Sequence, residues 1–115
     1  MIKRNNSYET VINKEMRGGK GEVKIEHLLT KEELYNKGRM YARITLVPGS
    51  SIGYHIHEGE METFHIISGS AKISDNGTEI IAETGDTILT QSLNGHSVEC
   101  AGDEPLVMIA LIIFE

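Results

Sequence analysis

From Glu22 onward the chain is written in short runs of apolar and polar residues with a period of two. Val23, Ile25 and His27 alternate with Glu22, Lys24 and Glu26 over Glu22–Leu28, the pattern of a strand with one face turned to a core. Met40–Val47 repeats it, with Met40, Ala42, Ile44 and Leu46 set against Tyr41, Arg43, Thr45 and Val47, until Pro48-Gly49-Ser50 breaks the run. Ser51–His57, Glu62–Ile67, Ser70–Ser74, Thr78–Ala82, Thr87–Thr90, His96–Cys100 and 106–114 read as further strands between turn residues. Asn76-Gly77 predicts a two-residue hairpin turn, because both central positions need positive φ. Gly85 marks another tight turn of that kind. One segment carries a helix signature. Thr30-Lys31-Glu32-Glu33 is a capping box and Gly38 a stop, which predicts a short helix over 31–37. Residues 1–21 have weak periodicity and end in Gly18-Gly19-Lys20-Gly21. They are expected to form a mobile N-terminal arm or an edge strand ahead of a domain spanning 22–115. Short strands at this spacing predict an all-β sandwich or barrel. The last strand is apolar on both alternating faces, so one face is expected in the core and the other against a second subunit.

Composition narrows the class. The chain has 115 residues and a net charge of −6, enough for one domain with its own core. The acidic balance argues against a nucleic-acid partner, which needs a basic patch. The apolar run 106–114 is too short to cross a bilayer as a helix. Cys100 is the only cysteine, so no intrachain disulfide can form, and a reducing, cytoplasmic location is expected. Lys3-Arg4 is followed by Asn5-Asn6-Ser7 rather than by an apolar stretch, unlike a targeting peptide.

The candidate chemistry lies in three of the five histidines. His55 and His57 are two residues apart, so on one strand their imidazoles share a face. Glu62 opens the next strand after a short turn, and His96 begins a later one. Three imidazoles and a carboxylate form a mixed N/O set suited to Fe, Mn, Ni, Co or Zn. On a six-coordinate ion, four protein ligands leave two positions for water, oxygen or a bidentate substrate.

The segment from Gly49 to Gly69 resembles the first motif of the cupin family, Gly-x5-His-x-His-x4-Glu-x6-Gly, at every fixed position: Gly49, His55, His57, Glu62 and Gly69. The second motif, Gly-x5-Pro-x-Gly-x2-His-x3-Asn, is matched at Gly85 and His96, while Gln91, Leu93 and Cys100 replace the proline, glycine and asparagine. The resemblance covers about residues 40–112. It implies a small double-stranded β-helix (cupin, or jelly-roll) barrel of two facing antiparallel sheets, metal held by His55, His57, Glu62 and His96, and a homodimer.

Other residues are weighed against plainer roles. Glu60 shares the parity of Glu62 and competes with it as a ligand, but the spacing to Gly69 favours Glu62. Glu58 and Glu60 are expected in a solvated turn. His65 and Tyr54 are out of phase with the ligands and should face outward, and His27 is expected at the surface or an interface. Cys100 shares the parity of His96 and reads as a buried, inert thiol. Phe64, Ile66 and Val98 are candidates for an apolar pocket wall. If the Tyr41 and Arg43 face is the inner one, Arg43 could hold a carboxylate substrate bidentately; an exposed arginine is the commoner case.

Three functions fit this pattern. The first is a metalloenzyme of the dioxygenase, isomerase or epimerase, decarboxylase or lyase class acting on a small organic molecule, with Tyr41, Glu60 and Cys100 as the available acid/base candidates. The second is a non-catalytic barrel that binds or senses a small ligand. The third is a barrel whose metal serves stability alone. Fold does not choose among them, because function resides in the pocket.

Overall fold

The computed structural model describes residues 1–115, which form ten strands: β1 (Glu9–Lys14), β2 (Glu22–Leu29), β3 (Gly38–Leu46), β4 (Ser51–Ile56), β5 (Glu60–Ser68), β6 (Ala71–Asp75), β7 (Thr78–Ala82), β8 (Thr87–Thr90), β9 (Gly95–Cys100) and β10 (Leu106–Phe114). They make two antiparallel sheets, one in the order β1-β2-β3-β10-β5-β8 and one in the order β4-β9-β6-β7. The alternation read from sequence matches burial on the core strands. Val23 and Ile25, then Ala42, Ile44 and Leu46, then Leu106, Met108, Ala110 and Ile112 are buried on β2, β3 and β10. Ile52, Ile73 and Val98 meet them from the smaller sheet. Each fully buried Ile, Leu or Met contributes roughly 1.5–3 kcal/mol to folding. On β10, Val107, Ile109 and Leu111 are half-buried on the opposite face.

The turns follow their residue types. Asn76 and Gly77 have φ of 49° and 94°, as the β6–β7 hairpin requires. Gly85 has φ 96°.

One expectation for the N-terminal third is revised. The capping box over Thr30–Glu33 forms in both directions, Thr30 N–H to Glu33 Oε1 at 2.8 Å and Glu33 N–H to Thr30 Oγ1 at 3.1 Å. Yet the segment 31–37 closes only one turn, Leu34 N–H to the Thr30 carbonyl, before Tyr35 and Asn36 turn left-handed at φ 54° and 55°. A helix cannot propagate through two such residues. The one helical segment is instead a short 3-10 turn, Met16–Gly18, which itself contains the left-handed Arg17. The arm itself is paired: β1 runs antiparallel to β2 from Glu9↔His27 to Lys14↔Glu22, and Lys3 forms an ion pair with Glu33. No helix is long and apolar enough to cross a membrane.

Candidate metal centre

His55, His57, Glu62 and His96 converge between the two sheets, with one ligand atom from each lying within 4.8 Å of the others. His55 and His96 are cross-strand partners on β4 and β9. Glu62 approaches from β5 in the opposite sheet, where it pairs with Ile112 and Thr90. His57 lies just past β4. It is fixed by the β8–β9 loop, since the Leu93 N–H donates to its carbonyl at 2.6 Å and its own N–H donates to the Asn94 carbonyl at 3.2 Å.

A backbone irregularity aims the histidines. Ile52 is buried at an even position of β4, whereas His55 and His57 face the interior from odd ones. The β4–β9 register shifts between Ile52 and His55. Such a bulge moves the following side chains to the other face.

The outward nitrogens of all three rings are engaged. His55 Nδ1 lies 2.8 Å from the Gly53 carbonyl, His57 Nδ1 2.8 Å from Glu60 Oε1 and His96 Nδ1 2.9 Å from Thr90 Oγ1. A carbonyl and an ionised carboxylate only accept, so the first two rings carry their hydrogen on Nδ1 and, when neutral, turn a bare Nε2 lone pair inward. His96 Nε2 lies 3.1 Å from the Nε2 atoms of both His57 and His55. Glu62 Oε1 lies 3.0 Å from Nε2 of His57 and of His96. Bare acceptors at this spacing repel one another unless a proton or a metal ion sits among them. Donors bound to one ion at about 2.1 Å and at right angles stand about 3.0 Å apart, so the donor set fits a six-coordinate transition metal.

The electrostatics agree. His57 is 3% exposed, Glu62 5% and His96 1%. Burial pushes the Glu62 carboxyl up, but hydrogen bonds from His57 and His96 outweigh it and hold the group below the usual carboxylate range. The hydrogen bond to Glu62 raises the His57 imidazole against its burial. Burial lowers His55. Glu60 falls to about 2, chiefly through its hydrogen bonds to Arg39. Arg39 grips both Glu60 oxygens at 2.6 and 2.7 Å.

Several neighbouring residues stand elsewhere than the sequence suggested. Glu60 is not in a solvated turn: its side chain is 12% exposed and joins Arg39 to His57. Glu58 is exposed. Phe64 stacks on the His96 ring, 5.1 Å between centroids and 9° from parallel, and lines the cavity beside the cluster. Ile66 and Val98 are core residues behind it, and the apolar wall is completed by Met40, Ile44, Ile52 and Ile112. Arg43 is turned away from the cavity and grips Glu26 at 2.7 and 3.0 Å; Tyr41 does not line the cavity either. Cys100 is buried, with its Sγ 3.1 Å from the Glu104 carbonyl. His65 is exposed and bonded to Thr87, and Tyr54 is half exposed. The sequence reading missed Arg17 and Arg39, which reach the cavity rim. Arg39 precedes the alternating strand and Arg17 lies in a glycine-rich turn, where no periodicity indicates direction.

The cavity against the cluster has a volume of about 40 Å³, room for about three water molecules. A larger groove of about 530 Å³ runs between the N-terminal arm and residues 27–32, lined by Lys3, Tyr8, His27 and Lys31 among others. It contains none of the four converging ligands.

Comparison with known proteins agrees with this architecture. A family model described as the cupin domain matches residues 42–113. An oxalate-binding protein of Thermotoga maritima is 48% identical over 98 residues, 85% of this chain and 81% of that protein. The crystal structure of a predicted oxalate decarboxylase from Thermotoga maritima superposes with a TM-score of 0.96 at 43% identity, covering 100% of both chains. KdgF from Halomonas sp. shares the fold at 12% identity, with a TM-score of 0.75 over 97% of this chain and 94% of that one. With a family match over most of its length and two strands of its barrel converging three histidines on one glutamate, this chain belongs to the cupin family.

Proposed function

We propose that His55, His57, Glu62 and His96 hold a divalent transition metal (Fe, Mn, Ni, Co or Zn), and that the metal-loaded barrel captures a small carboxylate anion of the oxalate kind. The observation that carries this reading is the convergence of Glu62 Oε1 with the Nε2 atoms of the three histidines at neighbouring distances of 3.0–3.1 Å, while the Nδ1 hydrogens of His55 and His57 are committed to Gly53 and Glu60. Bound there, the metal would supply a Lewis acid with positions left for anionic oxygens.

The chain's own residues supply the rest. Glu60 and the Gly53 carbonyl hold two rings in the tautomer that presents Nε2 inward. Phe64 and the aliphatic wall lower the polarity around the site, which strengthens its attraction for an anion. The cavity of about 40 Å³ restricts the occupant to a few heavy atoms. The similarity to an oxalate-binding protein supports the ligand class.

A second reading, turnover of the bound anion, is supported by the similarity to a predicted oxalate decarboxylase. Binding is favoured because the cavity holds no uncommitted acid or base: Glu60 and Glu62 are both engaged, and Tyr41 and Cys100 lie outside it. A homodimer is the assembly in keeping with the half-buried apolar outer face of β10.

The test is elemental analysis of the purified protein followed by oxalate titration of the metal-loaded form, with formate and CO2 assayed in parallel. Stoichiometric metal, saturable oxalate binding and no products are expected. Products would shift the reading to catalysis. Failure to load any of the five metals would overturn both.

A further inference from the structure

We infer that Arg17 is the specificity-determining residue of this site, taking the carboxylate of a dianionic ligand that points away from the metal. The inference rests on the metal reading above and specifies which anion it favours.

Two arginines line the cavity, Arg17 and Arg39. Arg39 is spent on Glu60 through both nitrogens. Arg43, the arginine the sequence offered for this task, is spent on Glu26. The Arg17 guanidinium has no carboxylate partner among the ion pairs of the chain. It is exposed at the rim, close enough for its charge to act on the His55 ring.

The turn that carries Arg17 is built rather than loose. Glu15 and Arg17 are left-handed at φ 50° and 56°, followed by Gly18 at 80° and Gly21 at 65°. Two non-glycine residues in that region are strained and persist only where the surroundings over-determine them. Here the surroundings do. The Glu15 N–H donates to the Gly21 carbonyl at 2.9 Å, and the Ser51 N–H to the Lys20 carbonyl at 2.8 Å. The Lys20 N–H donates to Ser51 Oγ at 2.9 Å. The Arg17 carbonyl lies so close to Gly53 that a Cβ there would stand 2.1 Å from it. Gly53 is also the residue whose carbonyl orients His55. One glycine thus seats the arginine turn and one metal-site histidine together, and Met16 anchors the turn by packing on the core.

The charges then select the ligand. A divalent ion with Glu62 as its one anionic ligand keeps one net positive charge, and Arg17 adds a second. Arg39 and Glu60 cancel. A dianion neutralises both positive charges, whereas a monoanion leaves Arg17 unmatched. A guanidinium also suits a carboxylate geometrically, because its N–H groups match the two oxygens.

The experiment titrates the Mn(II)-loaded full chain with oxalate and, separately, acetate, in wild type, Arg17→Gly and Arg17→Lys, with metal content measured for each. Glycine suits the positive φ of position 17, so Arg17→Gly removes the guanidinium and leaves the turn intact. Oxalate affinity should fall about tenfold or more in Arg17→Gly, with acetate affinity changed less than about twofold and metal content unchanged. Arg17→Lys should recover part of the loss, because it restores the charge without the fork. Oxalate affinity within about twofold of wild type in Arg17→Gly, or an equal loss for oxalate and acetate, would overturn the assignment while leaving the metal reading standing. A metal-loaded wild type that binds no oxalate would remove the ligand reading and this assignment together.

Discussion

Glu60 Oε1 lies 2.8 Å from His57 Nδ1, while Arg39 holds both oxygens of the same carboxylate. Glu60 therefore acts on the candidate metal site without being one of its four converging residues. It fixes which His57 nitrogen carries the hydrogen, and Arg39 keeps it ionised in that role. Glu60→Gln should lower metal affinity about 10- to 100-fold without abolishing it. A competition titration against a chelator of known affinity measures this, and unchanged affinity would remove Glu60 from the site.

The same carboxylate predicts an acid limit. Its pKa is lowered from 4.5 to about 2, so its contribution to stability is complete above the unfolded value and is lost as pH falls from 4.5 toward 2. Unfolding monitored over that window should show a shallower acid slope in Glu60→Gln than in wild type.

Ligand identity separates the histidines. His57→Ala should lose most of its metal, whereas His65→Ala, on the exposed face of β5, should retain it. Elemental analysis of the two purified variants decides the matter, and equal losses would contradict the geometry.

In the metal-free protein His57 has a raised pKa, because its partner is the Glu62 carboxylate. The stabilising pair is fully formed below the ordinary imidazole value of 6.5 and is lost as pH rises through the raised one. A metal has to displace that proton. Apparent metal affinity should therefore climb about tenfold per pH unit until the raised value is passed. Calorimetry in two buffers of different ionisation enthalpy should record proton release on metal binding that diminishes as pH rises through the raised value.

Leu93 stands where the family motif has glycine, and it keeps the backbone of a glycine, with φ 74° and a side chain 71% exposed. Its N–H is held by the His57 carbonyl, which is what sustains the strain. Leu93→Gly should stabilise the protein by up to about 1 kcal/mol, since relief of the left-handed cost exceeds glycine's entropy loss. Thermal or denaturant unfolding measures it, and metal content should not change.

By itself the sequence determined the strands, the Asn76-Gly77 hairpin and which histidines could meet. Each of those depends on residues near one another in the chain: a period of two, a turn that demands positive φ, a His-x-His pair on one face. It also placed Glu62 ahead of Glu60 through the family motif's spacing to Gly69. What it left open depends on contacts across the two sheets. The bulge before His55 reverses the face that parity would assign from Ile52, and it is defined by the register against β9. The segment 31–37 was stopped short of a helix by Tyr35 and Asn36 turning left-handed, a conformation asparagine tolerates but tyrosine gives no signal for. Glu60, Arg39 and Arg17 are charged residues in turns or at strand ends, where alternation carries no directional information. Only the packed barrel, by spending Arg39 on Glu60 and Arg43 on Glu26, left the Arg17 guanidinium without a carboxylate partner beside the candidate metal site.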